Sequence, residues 1–264
     1  MLFSPLASGS SGNATFVEAG GLRFLIDGGL SCRRLCQLLC AIEINPATID
    51  GIFITHEHTD HIAGVPVFSK KYNVPVYLNE ETYLAMEEKG YPIQPQNLRI
   101  IRPDLPFYVK SVRIHPFSTP HDAVRSMGYV LSCDQGRCAV MTDIGHVTDG
   151  MLDLLTDCDI LLLESNHDVD MLKSGPYPFH LKRRILSKTG HLSNDDCGLA
   201  LIKLFGRGVR NVILGHLSKE NNTPELALVT VRSILEENGL LEAMHVEVAK
   251  RDEPTGVFVI GTQG

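Results

Sequence analysis

The stretch Gly51-Ile52-Phe53-Ile54-Thr55-His56-Glu57-His58-Thr59-Asp60-His61 leads from an apolar strand pattern into a dense group of polar side chains. Three imidazoles and an aspartate fall within its last six positions. Buried polar side chains need partners that replace their hydration, and a surface loop has no reason to select this group. Imidazole and carboxylate suit zinc, manganese or iron, and the absence of nearby thiols argues against a closed structural zinc site. The stretch therefore predicts a metal centre after a buried strand.

Further potential metal ligands occur where later apolar strand patterns give way to loops. His121, Asp143 and His216 each stand at such a point. Side chains at the strand ends of an α/β layer converge on a cleft, so we expect these three to join the first group and supply a second metal. The remaining histidines do not follow this pattern: His115, His180 and His245 are predicted to be structural, and His146 and His167 stay open.

Composition favours one globular α/β domain over residues 1–264. The chain is 44% hydrophobic, and no low-complexity tract or linker divides it. Short β patterns fill the first half, and strand and helix patterns alternate in the second half, which indicates an α/β class. No run is long enough for a membrane span, and the first residues lack the pattern of an export signal. We therefore expect a soluble, cytoplasmic protein without a membrane partner.

Charge and cysteine usage narrow the class of protein. The formal charge of −7 argues against a protein that coats nucleic acid by bulk electrostatics, although a local basic groove remains possible. The odd number of cysteines, seven, fits a reducing compartment. Cys32, Cys36 and Cys40 share one face of a helix predicted over residues 31–41. A buried stripe of small residues is favoured there over a soft-metal or redox site.

The ordered set of histidines and aspartates resembles the metallo-β-lactamase fold family, whose HxHxDH signature matches residues 56–61. That resemblance implies an αββα four-layer sandwich and a supporting role for Asp27. Glu164 follows Asp143 by only 21 positions, too few for the inserted β-CASP domain of many nucleases of this fold. The resemblance implies two divalent metals, one held by His56, His58 and His121, the second by Asp60, His61 and His216, with Asp143 between them.

The tetrapeptide GHLS occurs twice, at residues 190–193 and 215–218. In tRNA 3′-end-processing nucleases and related phosphodiesterases of this fold, a strand ending in an acidic residue precedes a Gly-His motif, and the last ligand histidine follows later. This likeness implies that His216 is a ligand and that Glu164 orients His191 as a proton donor or phosphate contact. Two metals bridged by a carboxylate hold a hydroxide for attack at phosphorus, and the leaving oxygen then needs a proton.

Further stretches resemble the YycJ/WalJ-type group of bacterial nucleases. That resemblance implies a metal-dependent phosphodiesterase with 5′-to-3′ exonuclease action on DNA, with Asp60, His191 and Glu164 as catalytic residues. Lys182, Arg183 and Arg184 are candidates for phosphate contacts, and Tyr177 for stacking on a base. The stretches are SGSSGN at 8–13, TPHDA at 119–123, ESNHD at 164–168, GPYP at 175–178, GHLSN at 190–194 and LGHLSKENN at 214–222.

Two other functions stay open on the sequence. The first is hydrolysis of a thioester or small-molecule ester, as in glyoxalase II-like proteins of the same fold. The second is a regulatory module without enzymatic activity, in which the metals only stabilise the fold. The choice among zinc, manganese and iron, DNA over RNA, exonuclease over endonuclease, and the oligomeric state are likewise left open.

Overall fold

The computed structural model describes residues 1–261. The first half of the chain alternates strands and helices, with a short 3₁₀ helix at Pro46–Thr48. Its elements are β1 (Leu2–Ala7), β2 (Ala14–Ala19), β3 (Leu22–Ile26), α1 (Cys32–Ala41), β4 (Gly51–Phe53), α2 (Thr59–Ile62), α3 (Val65–Tyr72), β5 (Val76–Leu78), α4 (Glu80–Glu88) and β6 (Leu98–Ile100).

The second half begins with antiparallel strands and continues with alternating helices and parallel strands. A single helix and the following strand fill the segment between Asp143 and Glu164. The elements are β7 (Phe107–Val109), β8 (Val112–Ser118), β9 (Met127–Cys133), β10 (Gly136–Met141), α5 (Asp149–Leu154), β11 (Ile160–Glu164), α6 (Val169–Ser174), α7 (Phe179–Ile185), α8 (Asn194–Phe205), β12 (Asn211–Gly215), α9 (Pro224–Glu237), β13 (His245–Val248) and β14 (Phe258–Val259).

Two mixed sheets form the centre of the molecule. The first has the strand order β14-β1-β2-β3-β4-β5-β6, and the second has the order β13-β12-β11-β10-β9-β8-β7. Strands β3 to β6 run parallel, as do β10 to β13. Because parallel neighbours end at the same edge of a sheet, the loops that follow them are brought together there.

Three apolar clusters separate four layers, which confirms the predicted αββα sandwich. The cluster between the two sheets contains Phe24, Phe53 and Tyr129, and the Tyr129 hydroxyl donates to the carbonyl of Ile54 at 2.7 Å. A second cluster packs α1, α3 and α4 on the first sheet, and a third packs α5, α8 and α9 on the other sheet. No helix within residues 1–261 is long and apolar enough to cross a membrane.

The helix predicted over residues 31–41 is confirmed as α1, and the Ser31 side chain caps it by accepting from the Arg34 amide. The expectation of a buried cysteine stripe is wrong. Cys32 and Cys36 are half-buried and Cys40 is exposed, whereas the buried face carries Leu35, Leu38 and Leu39. The leucines bury more apolar area than the cysteines, and the helix is therefore rotated toward them.

Candidate metal centre

Loops at one edge of the sandwich carry the predicted ligands. His56 to His61 follow β4 and run into α2, His121 follows β8, Asp143 follows β10, and His216 follows β12. The structure thus brings residues from both sheets to one place, although up to 160 positions separate them in the sequence (216 minus 56).

One group of three imidazoles lies on the side of β4 and β8. His56 Nε2 lies 3.0 Å from His58 Nδ1, and the His121 ring centroid is 5.0 Å from that of His56. One nitrogen of each residue lies within 4.8 Å of the others. Burial and the neighbouring imidazoles hold the pKa of His56 well below its usual value. His56 is therefore neutral, the form in which imidazole binds a metal.

A second group joins the two sheets. His61 Nε2 lies 3.5 Å from Asp60 Oδ2, and His216 Nε2 lies 3.7 Å from the same oxygen. Asp143 stands between the groups, with one oxygen 3.6 Å from His121 Nε2 and the other 3.3 Å from His61 Nε2. Burial raises the pKa of Asp143, but the imidazoles of His216, His61 and His121 together leave it below its ordinary value. A carboxylate is thus available to both groups.

Buried atoms without partners coincide with the predicted ligands. His121 Nε2, Asp143 Oδ2 and His216 Nε2 are buried and make no hydrogen bond to any residue of the described range 1–261. A buried polar atom without a partner is costly, and a metal ion between such atoms would remove that cost. Imidazoles and carboxylates without a thiolate fit a divalent cation, so the residues present suit the metal that the sequence predicts.

Asp27 supports the second group from behind. Its carboxylate accepts from the Thr55 amide at 2.8 Å and from the Thr55 hydroxyl at 2.9 Å, and lies 2.7 Å from His61 Nδ1. A proton on Nδ1 that is shared with this carboxylate leaves His61 Nε2 free to face a metal. This placement agrees with the supporting role expected for Asp27.

Three residues that follow strand ends adopt a left-handed backbone. Asp27, Asp143 and His216 have φ values of 61°, 57° and 56°. This conformation costs an L residue about 1–2 kcal/mol, and such strain collects at functional sites. It turns the chain sharply so that the side chain points into the edge of the sandwich.

Glycines allow the loops around the second group to approach one another. A Cβ on Gly29 would lie 1.5 Å from the carbonyl oxygen of Asp60, and one on Gly64 would lie 2.0 Å from the carbonyl oxygen of Leu30. The amide of Gly28 also donates to the main-chain carbonyl of His61 at 2.8 Å. Any larger residue at Gly29 or Gly64 would push the start of α1 away from α2.

Glu164 connects both GHLS histidines. It is fully buried, and its Oε1 lies 2.8 Å from both His191 Nδ1 and His216 Nδ1. Its Oε2 accepts from the amides of Ile144 and Leu192. Burial lowers the pKa of His191, but the Glu164 carboxylate outweighs it and leaves that pKa above the ordinary value. The Glu164 carboxylate therefore favours the protonated form of His191.

A cavity of about 250 Å³ opens on this edge. His191 lines it, with its ring centroid 5.1 Å from that of His121 and 5.3 Å from that of His216. It thus stands beside both ligand groups. The other lining residues include His58, Asp60, Asp143, His216, Ser10, Asp122, Asn166, Tyr177, Arg184 and Ser218.

The predicted substrate contacts separate into two pairs. Tyr177 and Arg184 line the cavity, and the Arg184 guanidinium is paired with the Asp122 carboxylate. Lys182 and Arg183 do not reach it. The Lys182 ammonium donates to the carbonyls of Lys173 and Gly175 at 2.7 Å, and the Arg183 guanidinium lies 6.0 Å from the ring centroid of Phe179.

Several residues at the site received no individual role from the sequence. The side-chain nitrogen of Asn13, Nδ2, lies 3.0 Å from His61 Nε2 and 3.3 Å from Asp60 Oδ2. The Ser8 hydroxyl accepts from the His216 amide at 2.8 Å, and Asp122 Oδ1 lies 3.4 Å from His121 Nε2. The only sequence signal for them was that SGSSGN and TPHDA belong to the stretches that resemble the YycJ/WalJ-type group. TPHDA carries the predicted ligand His121, whereas SGSSGN lies far from every predicted ligand along the chain.

Comparison with known proteins shows the family and the fold of the chain. A model described as the beta-lactamase superfamily domain matches residues 22–217. The chain is 42% identical over 231 residues to the exodeoxyribonuclease WalJ of Streptococcus pneumoniae serotype 2, which covers 87% of this chain and 86% of that protein. It is 39% identical over 237 residues to the exodeoxyribonuclease YycJ of Bacillus anthracis, which covers 90% of each. The metallo-beta-lactamase fold protein YhfI of Bacillus subtilis superposes with a TM-score of 0.74 at 16% identity, over 97% of this chain and 98% of that one.

Proposed function

The chain belongs to the beta-lactamase superfamily with the metallo-β-lactamase fold, and we propose that it is a dinuclear metal-dependent 5′-to-3′ exodeoxyribonuclease. The observation that carries the proposal is the pair of ligand groups with Asp143 between them and His191 beside both. The names of the two bacterial relatives support DNA as the substrate and exonuclease as the mode of cleavage.

His56, His58 and His121 would hold one divalent cation, and Asp60, His61 and His216 the second, with Asp143 available to both. We propose zinc or manganese, with iron also compatible with this donor set. When bound, the two ions would lower the pKa of a water molecule and polarise a phosphoryl oxygen. Asp27 keeps His61 in the tautomer that such a site requires.

His191 would protonate the leaving sugar oxygen. Its Nδ1 faces Glu164, so its Nε2 is the atom that can donate a proton to a group in the cavity. Glu164, buried and ionised, favours the protonated imidazole and fixes the ring. Arg184 and Tyr177 line the same cavity and are proposed to contact a phosphate and a base.

The proposal keeps the single domain over residues 1–264, without an inserted β-CASP domain, and a cytoplasmic location. The short segment between Asp143 and Glu164, with α5 and β11, supports the first point. The substrate is then bound by the loops around the metal centre and not by a second domain.

The test is incubation of the purified protein with end-labelled single-stranded DNA and RNA that carry a 5′-phosphate, in the presence of manganese or zinc. Stepwise loss of 5′ nucleotides from DNA is expected. The control is Asp60→Ala/His61→Ala, which removes two residues of one ligand group. Cleavage of neither polymer, with metal still bound, would redirect the search to a thioester or small-molecule ester.

A comparison of two leaving groups tests whether an acid assists phosphoryl transfer at this site. A sugar oxygen needs a proton, whereas p-nitrophenolate leaves without one. His191→Ala should therefore lower turnover of a dinucleotide far more than turnover of thymidine 5′-(p-nitrophenyl phosphate). Equal losses on both substrates would show that His191 is not the acid. They would not contradict the proposal of metal-dependent hydrolysis.

A further inference from the structure

A second cavity of about 500 Å³ lies on the far side of the Ser/Gly loop, which we define as residues 8–13. Its lining includes Ser8, Arg34, Leu217, Lys250, Arg251 and Asp252. These residues come from four separated parts of the chain: the Ser/Gly loop, α1, the loop after β12 and the loop after β13. Neither the metal centre nor His191 uses this cavity.

The second cavity adjoins the metal centre along the same edge of the sandwich. Strands β12 and β13 are parallel, so the loop after β13 lies beside the loop that carries His216. Ser10 and Ser218 line the first cavity, while Ser8 and Leu217 line the second. The amide of Ser8 donates to the carbonyl of Lys250 at 3.2 Å. The Ser/Gly loop and the segment after His216 therefore form the boundary shared by both cavities.

Positive charge is in excess in the second cavity. Arg34, Lys250 and Arg251 face two carboxylates, those of Asp252 and Glu253. Lys250 is paired with Glu253 at 2.8 Å, but the two arginines donate to main-chain carbonyls, of Asp252 and Leu217. A carbonyl does not neutralise a guanidinium charge. Arg251 Nη1 is also buried and has no hydrogen-bond partner within the described residues.

We infer that the second cavity binds a backbone phosphate of single-stranded DNA on the 3′ side of the bond cut at the metal centre. This inference rests on the proposed function. In the part of the chain that the structure describes, neither guanidinium group has a carboxylate partner. Such groups suit a phosphate, since their fork of donors matches its oxygens. The strand passes over Ser10 and Ser218, and the first cavity holds its 5′ end.

Substitution of Arg34 tests the inference more directly than substitution of Arg251. Arg251 also donates to the main-chain carbonyl of Leu217, next to His216, so its loss could alter the metal centre as well. The neighbour of Arg34, Arg33, is exposed on α1 and is not part of the cavity, so Arg33→Glu is a control of the same charge change. The measurement is KM for a 5′-phosphorylated dinucleotide and decanucleotide in the manganese-loaded enzyme. With Arg34→Glu, the KM ratio of decanucleotide to dinucleotide should rise about tenfold, and with Arg33→Glu it should change little.

Salt dependence gives a second readout. The affinity for a single strand falls with the logarithm of the salt concentration by about 0.7 per phosphate contact. Fluorescence anisotropy with the decanucleotide should therefore give a slope for Arg34→Gln that is smaller by about 0.7 than that of wild type. Arg33→Gln should keep the wild-type slope.

Equal slopes and equal KM ratios for the two arginine positions would overturn the inference, even if the wild type degrades DNA. Failure of the wild type to degrade DNA would instead overturn the proposed function. In that case binding of the decanucleotide still decides the inference, because the anisotropy measurement does not require cleavage.

Discussion

The two GHLS segments, residues 190–193 and 215–218, have the same sequence but different surroundings. The first follows α7 and ends where Ser193 caps α8, whereas the second continues directly from β12. Both histidines place Nδ1 2.8 Å from the same oxygen of Glu164. Their side chains differ in exposure, 21% for His191 and 4% for His216.

The backbone before each histidine explains the difference. His216 has φ of 56° at a strand end, which turns its ring toward Asp60 and His61. Gly190 lies against α7, where a Cβ would be 2.1 Å from the carbonyl oxygen of Ile185, and His191 remains at the cavity wall. One tetrapeptide thus supplies a candidate ligand and a candidate acid, because the preceding element sets the depth of each ring.

Replacement of either histidine by alanine should give the largest loss of activity. The two variants should differ in whether bound metal is lost as well. His191→Ala should lower kcat for DNA by about 10²–10⁴-fold, the usual range for loss of a general acid, without loss of metal. His216→Ala should lower kcat further, because it removes part of one ligand group, and should also lower bound metal by about one ion per chain. The measurements are metal content after dialysis and single-turnover cleavage. Loss of metal in His191→Ala would remove the distinction.

A third histidine lies beneath the first segment only. His167 is buried and forms an isolated parallel β-bridge with Ser193. Neither of its ring nitrogens makes a hydrogen bond within residues 1–261. Burial lowers the pKa of His167 to about 4. Below about pH 6.5 the His167 imidazole binds a proton in the unfolded chain but not in the folded chain. The free energy of unfolding therefore falls as pH drops from about 6.5 to about 4.

This His167 contribution should amount to about 3 kcal/mol of unfolding free energy at the acidic end of that window. Urea unfolding of the metal-free protein and of His167→Gln, from pH 7 to pH 4, gives the comparison. The other titrating groups are common to both proteins, so the difference between the two curves isolates His167. Parallel curves would show that His167 is already protonated, or hydrated, in the folded state.

Glu164→Gln should affect both segments at once. It removes the charge shared by His191 and His216 while keeping the size of the side chain. Loss of such a supporting group lowers activity or metal affinity by about 10–100-fold. In the double variant with His191→Ala, the loss of kcat should be smaller than the product of the single losses, because both act through one proton donor. Independent losses would place Glu164 outside the proton transfer.

The serines should give the smallest difference. The Ser193 hydroxyl accepts from the Asp196 amide and caps α8, so Ser193→Ala should cost about 1 kcal/mol of unfolding free energy. Ser218 accepts from Asn221 and lines the first cavity, so Ser218→Ala should act mainly on KM. Thermal unfolding and steady-state kinetics distinguish the two outcomes. The same change in both variants would argue that the segments play one structural role.

The sequence predicted what depends on strand ends and helix caps. His121, Asp143 and His216 were predicted because each follows an apolar strand, and α1 was predicted over residues 31–41, where Ser31 caps it. The strand β1 was not predicted, because Pro5 interrupts it and a register shift beside Pro5 accommodates it. The contact of Ser8 with His216 spans 208 positions, and no local pattern records such a contact.

Anomalous diffraction from a crystal of the manganese-loaded protein would locate every bound ion relative to the two GHLS histidines. We predict two peaks, one among His56, His58 and His121 and one among Asp60, His61 and His216, with His191 Nε2 bound to neither. Asp143, Glu164, His191 and His216 could also hold an ion by their spacing. A peak bound by His191 and Glu164, or a single peak, would contradict the division of roles between the two segments.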